Sequence, residues 1–321
     1  LKPQLHKFKL PTDVCYLNTA FMSPQLKDVE EAGMKAISSK NLPYLIREED
    51  FFEPVTKLKK QFADLIQAKD YRNIALIPSV SYGIANVAKN IKLKTGDEII
   101  VLEGQFPSNV YPWMRLAKNH QAKLKIIKAD SQAKERGISW NQAILEGINE
   151  KTALVALGHV HWADGTLFNL KEIREKTRQN GALLVIDGTQ SVGALPFSVK
   201  EYQPDALICS GYKWLLGPYS IGLAYYGDLF NEGTPIEDSW LNRAGSEDFS
   251  TLVNYTDKYR VKAGRYSVGE NANFILVPML SKALEQIKEW GPENIQDYCH
   301  RISKKALGDL RNQGCFIEED E

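Results

Sequence analysis

The sequence predicts an α/β protein whose core is a mostly parallel sheet covered by helices on both faces. Three observations carry that prediction. Short β-rich runs alternate with segments of helical spacing through the middle of the chain. Helix-rich stretches flank this alternating core on both sides. The 321 residues are enough for one large domain with an ample hydrophobic core and a smaller one beside it.

In chain order, helical spacing covers Leu26–Ser39 and Phe51–Gln67. Strands are expected at Asn73–Pro78, Glu98–Leu102, Lys123–Ile127, Ala153–Leu157, Leu183–Ile186, Ala206–Cys209 and Ile221–Tyr226. Helices between them are expected at Tyr82–Ile91, Val110–Asn119, Asn141–Ile148 and Lys171–Asn180. The step from Ala206–Cys209 to Ile221–Tyr226 carries no long helix, so one strand there is expected to run antiparallel. Asp228–Ala272 is polar, aromatic and irregular, which suggests a functional or dimer-contact segment. Two further helices, Asn273–Trp290 and Asn294–Gln313, are separated by the breaker Gly291–Pro292, and Cys315 is expected in a core strand after them.

Composition narrows the function. Forty basic residues balance forty acidic ones, and 43% of the chain is hydrophobic. A pI near 7.1 argues against a basic nucleic-acid binder. The longest clean apolar run, Phe274–Leu280, is far shorter than the ~20 residues that span a bilayer. Cys15, Cys209, Cys299 and Cys315 form no CxxC pair, which reads as a reduced, cytoplasmic protein without a zinc ribbon. The first twelve residues lack the apolar stretch of a signal peptide.

Ligands of open α/β sheets bind beyond the carboxyl ends of the strands, so the residues that follow each strand are the candidates. Ser79-Val80-Ser81 opens a helix, where free backbone N–H groups can cradle a phosphate; Ser79 or Ser81 can equally serve as a helix cap. Phe106 stands in a loop after a strand, where an aromatic can stack on a flat cofactor or pack in the core. His159 and His161 form an HxH pair that could bind zinc, but His6, His120 and His300 fall elsewhere and leave such a metal short of nitrogen ligands. Asp187 ends an apolar strand, a costly place for a carboxylate unless a cation meets it. Lys213 sits in the glycine-flanked run Gly211-Tyr212-Lys213-Trp214-Leu215-Leu216. An apolar setting of that kind lowers an amine's pKa and suits it to act as a nucleophile.

From Tyr16-Leu17-Asn18-Thr19-Ala20, through Gly211–Pro218, to about Gly269, the chain resembles the class V aminotransferase family. These are pyridoxal-phosphate (PLP) enzymes of fold type I, among them cysteine desulfurases, selenocysteine lyases, kynureninases and isopenicillin-epimerase-like proteins. The resemblance implies a large domain with a seven-stranded sheet (22–265), an N-terminal segment (1–21) associated with the small domain, and an incomplete small α+β domain (266–321). It implies that Lys213 forms the Schiff base, that Asp187 keeps the pyridine nitrogen protonated, and that Gln190 hydrogen-bonds the ring oxygen. Phe106 would stack on the ring, and Val80, Ser81, Ser210 and Tyr212 would hold the phosphate. Gly269, in Arg265-Tyr266-Ser267-Val268-Gly269-Glu270, would reach the partner's phosphate in a homodimer. Thr19, Trp162 and His161 lie where relatives contact the amino-acid substrate, with His161 able to assist proton transfer. Trp113 and Trp214 read as packing.

Tyr212 departs from desulfurases, which carry His there, and matches kynureninases. The residues after Lys213 contain no motif for a nucleophilic cysteine or a carboxylate-binding arginine, so Arg243, Arg260 or Arg265 would have to bind a carboxylate if the chain ends here. The expected function is PLP-dependent chemistry at the amino group or α-carbon of an amino acid, by transamination or desulfurase/lyase-type reaction. Kynureninase-like C–C hydrolysis is the alternative, and a hydrolase built on His159 and His161 a distant one. A nucleotide-binding module is disfavoured by the absence of GxGxxG and GxxxxGK. A non-catalytic relative is disfavoured because Lys213, Asp187 and Gln190 are all present.

Overall fold

The computed structural model describes residues 1–318. Among them, seven strands form one sheet: β1 (Ile74–Ile77), β2 (Glu98–Leu102), β3 (Lys123–Ile127), β4 (Thr152–Gly158), β5 (Leu183–Asp187), β6 (Ala206–Ser210) and β7 (Gly222–Tyr226). Their order is β1-β7-β6-β5-β4-β2-β3. Pairing is parallel from β3 through β6, while β7 runs antiparallel to both of its neighbours. The strand expected to reverse therefore does so. Because β7 reverses between β6 and β1, β1 keeps the common direction. The carboxyl ends of β1, β2, β4, β5 and β6 and the start of β7 consequently meet at one edge.

The helices are α1 (Lys27–Ser39), α2 (Glu53–Leu65), α3 (Val80–Lys89), α4 (Tyr111–His120), α5 (Arg136–Gly147), α6 (Leu170–Gln179), the short α7 (Val199–Tyr202), α8 (Leu276–Trp290) and α9 (Pro292–Asn312). Alternation along each strand divides the core into two layers. Ile74 and Leu76 face Leu58 and Phe62 of α2. Ala75 and Ile77 face Ile84 and Val87 of α3. Each fully buried large side chain contributes roughly 1.5–3 kcal/mol relative to exposure, so both layers clamp the sheet firmly. No helix among the described residues is long and apolar enough to cross a membrane.

Of the expectations for the end of the chain, that for Cys315 needs correction. Val277, Leu280, Leu284 and Ile287 of α8 join the same core cluster as Leu58 and Phe62 of α2. Its apolar stripe finds the uncovered side of α2 there. Cys315 is exposed and lies in no strand; its N–H donates to Leu310 O at 3.0 Å, closing the end of α9 instead of entering a sheet ladder. Beyond α8, α9 buries no residue. Residues 319–321 of the expected small domain lie outside the described residues. Four-residue α7, capped by Ser198, is too short for periodicity to show.

The turn between β6 and β7 is held by glycine. Gly211 N–H donates to Ile221 O at 2.9 Å, and Gly217 N–H to Gly211 O at 2.8 Å. A Cβ on Gly211 would stand 2.5 Å from the Ile221 carbonyl oxygen, and that atom cannot move without breaking the ladder. Gly211→Ala should therefore destabilise the protein by about 3 kcal/mol in chemical denaturation. An unchanged midpoint would show that the turn is looser than described.

Candidate active site

At the shared edge lies a cavity of about 270 Å³. Its walls are the segments that follow β1, β2, β4, β5 and β6, together with Tyr219, Ser220 and Ile221 before β7. The positions follow from the register: Asp187 ends β5 opposite Gly158 of β4, and Ser210 ends β6 opposite Gly222.

Lys213 is buried, and its Nζ sits 5.6 Å from the Phe106 ring centre and 5.9 Å from that of Tyr212. Burial pushes its pKa below the ordinary lysine value, against the opposing attraction of Asp187. Desolvation pushes Asp187 above the usual carboxylate range, against hydrogen bonds from Thr189 and the charge of Lys213. Thr189 N–H donates to its Oδ1 at 3.0 Å. Both groups are thus drawn toward neutrality, the condition that a cationic ring nitrogen beside Asp187 would relieve.

At one end of the cavity, α3 begins. Ser79 caps it, its Oγ accepting from Tyr82 N–H at 3.2 Å and lying 2.9 Å from Ser81 Oγ. The first-turn N–H groups of Val80 and Ser81 have no partner within the helix, and both residues line the cavity. Ser210 lines it too, with a buried Oγ that has no hydrogen-bond partner. Phe106 is held edge-to-face by Trp162 at 5.4 Å, whose Nε1–H donates to Gly104 O at 2.7 Å. The donor set, the unpartnered Ser210 hydroxyl, the aromatic face and the Lys213–Asp187 pair suit a flat, phosphorylated, nitrogen-containing aldehyde. These residues fit PLP.

Lys213, Asp187, His161, Val80, Ser81, Phe106, Gln190, Ser210, Tyr212 and Trp162 all line this one cavity, whereas Thr19 and Gly269 do not. The Gln190 amide is engaged by protein groups: its Nε2 donates to Ala20 O and its Oε1 accepts from Trp214 Nε1–H, both at 3.0 Å. It thereby ties the 18–23 segment to the site, where Ser23 N–H also donates to Tyr212 O. Trp214 has a polar role that packing alone did not suggest. Trp113 is buried, with its Nε1–H on Asn109 Oδ1 at 2.9 Å. The Gly269 N–H donates to Glu237 Oε2 at 2.9 Å.

The three arginines considered for carboxylate binding are occupied outside the cavity. Arg243 pairs with Asp238, Arg260 with Glu247, and Arg265 with Gly233 O and Glu232. His159 lies against Phe197 and Tyr202, and burial pushes its pKa down to about 4. It does not share a site with His161. Among the described residues, no group of three or more His, Cys, Asp or Glu could hold a metal. Thr189, Asn109 and Tyr219 are lining residues that the sequence reading missed; the Asp-x-Thr spacing was the available signal for the first.

Since burial raises the pKa of Asp187, the folded state binds its proton more tightly than the unfolded chain does. The resulting penalty is absent below the ordinary carboxylate range and is fully present once pH exceeds the raised value. Asp187→Asn should therefore raise the thermal midpoint of the cofactor-free protein at pH 7, with the gain shrinking as pH falls toward 4. A lower midpoint at pH 7 would contradict this balance.

The sequence model described as "Aminotransferase class-V" matches residues 45–317. A probable cysteine desulfurase of Pyrococcus abyssi (strain GE5 / Orsay) is 33% identical over 174 residues, covering 54% of this chain and 42% of that one. A cysteine desulfurase of Shigella sonnei (strain Ss046) is 26% identical over 264 residues, 81% of this chain and 62% of that one. The matched stretch thus spans less than two thirds of either relative. In structure, a C-DES mutant with glycine covalently linked to its PLP cofactor superposes with TM-score 0.84 at 18% identity, covering 97% of this chain and 80% of that one. The Escherichia coli cysteine desulfurase CsdA (S-sulfonic acid) superposes with TM-score 0.79 at 20% identity, covering 95% and 76%. The fold is that of these fold-type-I proteins, and the chain belongs to the aminotransferase class-V family of PLP-dependent enzymes.

Proposed function

We propose that this chain binds PLP through Lys213 and acts at the α-carbon of an amino acid, with carbon–sulfur lyase chemistry as its reaction class. The observation that carries the reading is the convergence of Lys213, Asp187, Phe106 and the α3 N-terminus on one cavity. The named activities of the desulfurase and lyase relatives support the reaction class. Bound PLP supplies an electron sink that weakens the bonds of the substrate's α-carbon.

The chain's own residues supply the rest. Lys213, its pKa lowered by burial, would offer its amine to hold the cofactor's aldehyde carbon and would afterwards serve as the base at the substrate's α-carbon. Asp187 would keep the cofactor's ring nitrogen protonated. Phe106 would pack against the ring, and Ser81, Ser210 and the Val80 N–H would hold the phosphate. None of the four cysteines lines the cavity: Cys209 is buried in β6, where desolvation raises its pKa well above the ordinary thiol value, and Cys15, Cys299 and Cys315 are exposed elsewhere. An enzyme-borne sulfur acceptor is thus not supplied by this cavity. The protein is proposed to act as a homodimer in a reduced, cytoplasmic setting, with the Gly269 loop reaching the partner's site. Thr19 is proposed to contact the substrate, although it does not line this cavity.

Purified protein mixed with PLP should show a visible band that borohydride bleaches and that Lys213→Ala lacks. If both proteins give the same spectrum, the assignment fails. Phe106→Ala should retain the band but weaken PLP retention about tenfold in a cofactor titration. Unchanged affinity would remove Phe106 from the ring's face.

A further inference from the structure

Among the described residues His161 is the one imidazole on the cavity wall, and its surroundings fix it well. Its ring is buried and lies 5.0 Å from that of Trp140, on which Arg136 stacks at 4.6 Å. Its Nδ1 stands 3.1 Å from Asp164 Oδ1. Asp164 Oδ1 also accepts from Thr166 N–H at 3.0 Å, while Oδ2 pairs with Arg136. The turn is closed by His161 N–H to Thr166 O at 2.8 Å and Gly165 N–H to His161 O at 2.9 Å.

Burial draws the Asp164 carboxyl upward, but hydrogen bonds from Thr166 and Arg136 outweigh it and hold it below the usual range. An ionised carboxylate can only accept, so the Nδ1 that faces it carries the proton. In the neutral ring the other nitrogen is then a bare acceptor. That nitrogen, Nε2, is buried without a partner, on a residue that lines the cavity. Gly104 stands over it: a Cβ there would sit 3.8 Å from Nε2, and the glycine leaves that approach open.

We infer that Arg136 and Asp164 are positioning residues that fix His161 in its Nδ1–H form and make Nε2 a proton acceptor for the bound amino acid. Nε2 takes an N–H proton from the ammonium of the bound amino acid, that N–H bond breaking as the Nε2–H bond forms; Asp164 balances the resulting imidazolium, and the proton returns to the amine of the product, while Lys213 remains the base at the α-carbon, which loses its proton only once the amine is free. Only the last step rests on the function proposed above; the tautomer does not.

Nitrogen-15 spectra of ring-labelled histidine test the assignment directly, with the His161 signal identified by its loss in His161→Gln among only five histidines. The wild type should show Nδ1 protonated and Nε2 bare. Asp164→Ala should move the proton to Nε2, and Asp164→Asn, which keeps an acceptor oxygen, should preserve the wild-type form. A wild-type ring protonated on Nε2 overturns the inference, as does an unchanged ring in Asp164→Ala. Should Asp164→Ala not fold, the wild-type spectrum and Asp164→Asn still decide. With PLP bound, Asp164→Ala should slow exchange of the α-proton of the amino acid that the wild type exchanges fastest by about a hundredfold, while the lysine-dependent band stays. Equal rates would overturn the proton-accepting role. A wild type without that band would instead overturn the proposed function and leave the tautomer result standing.

Discussion

An acid and an amine are held together at the edge of an apolar sheet, and the architecture of the site follows from that. Asp187 is the last residue of a strand whose preceding residues are buried or nearly so, and Lys213 follows the neighbouring strand. Each loses hydration, and each is pushed toward its neutral form against the pull of the other. Burying such a pair is unfavourable unless further partners complete it. Thr189 supplies one, and a protonated ring nitrogen between the pair would supply another.

Keeping Lys213 there demands a backbone that few residues allow. Between β6 and β7 the chain turns through Leu216 and Ser220, both in the left-handed region at φ 53° and 65°, where a side chain costs roughly 1 kcal/mol or more. Gly211 and Gly217 permit the close approach that brackets the lysine. Reversal of β7 then returns β1 to the common direction, which brings the α3 N-terminus to the same edge as Lys213. Without the antiparallel return, the proposed phosphate and amine anchors would not share a cavity.

The sheet was legible because each strand is a short apolar run closed by polar or turn residues; Glu98–Leu102 and Lys123–Ile127 begin and end where the spacing places them. Asp187 and Lys213 were legible for a related reason: a charge that ends an apolar strand needs an explanation. Asp164 was not, although it stands three residues from His161, because its significance depends on Arg136 from another element. The partners of Gln190 were hidden similarly, since Ala20 comes from the other end of the chain. Periodicity located α8 but said nothing of which core its apolar stripe would enter. Cys315 looked like a core residue by type, and its exposure after the end of α9 shows it is not.

The central claim is that one lysine, set by the sheet edge, holds the cofactor. Borohydride reduction of the PLP-loaded protein followed by peptide mass mapping tests it most directly, because many other lysines compete for the label. The account predicts the pyridoxyl mass on the peptide that contains Lys213 and its loss in Asp187→Ala at limiting PLP. A label spread over exposed lysines, or fixed on a lysine outside the cavity, would contradict it.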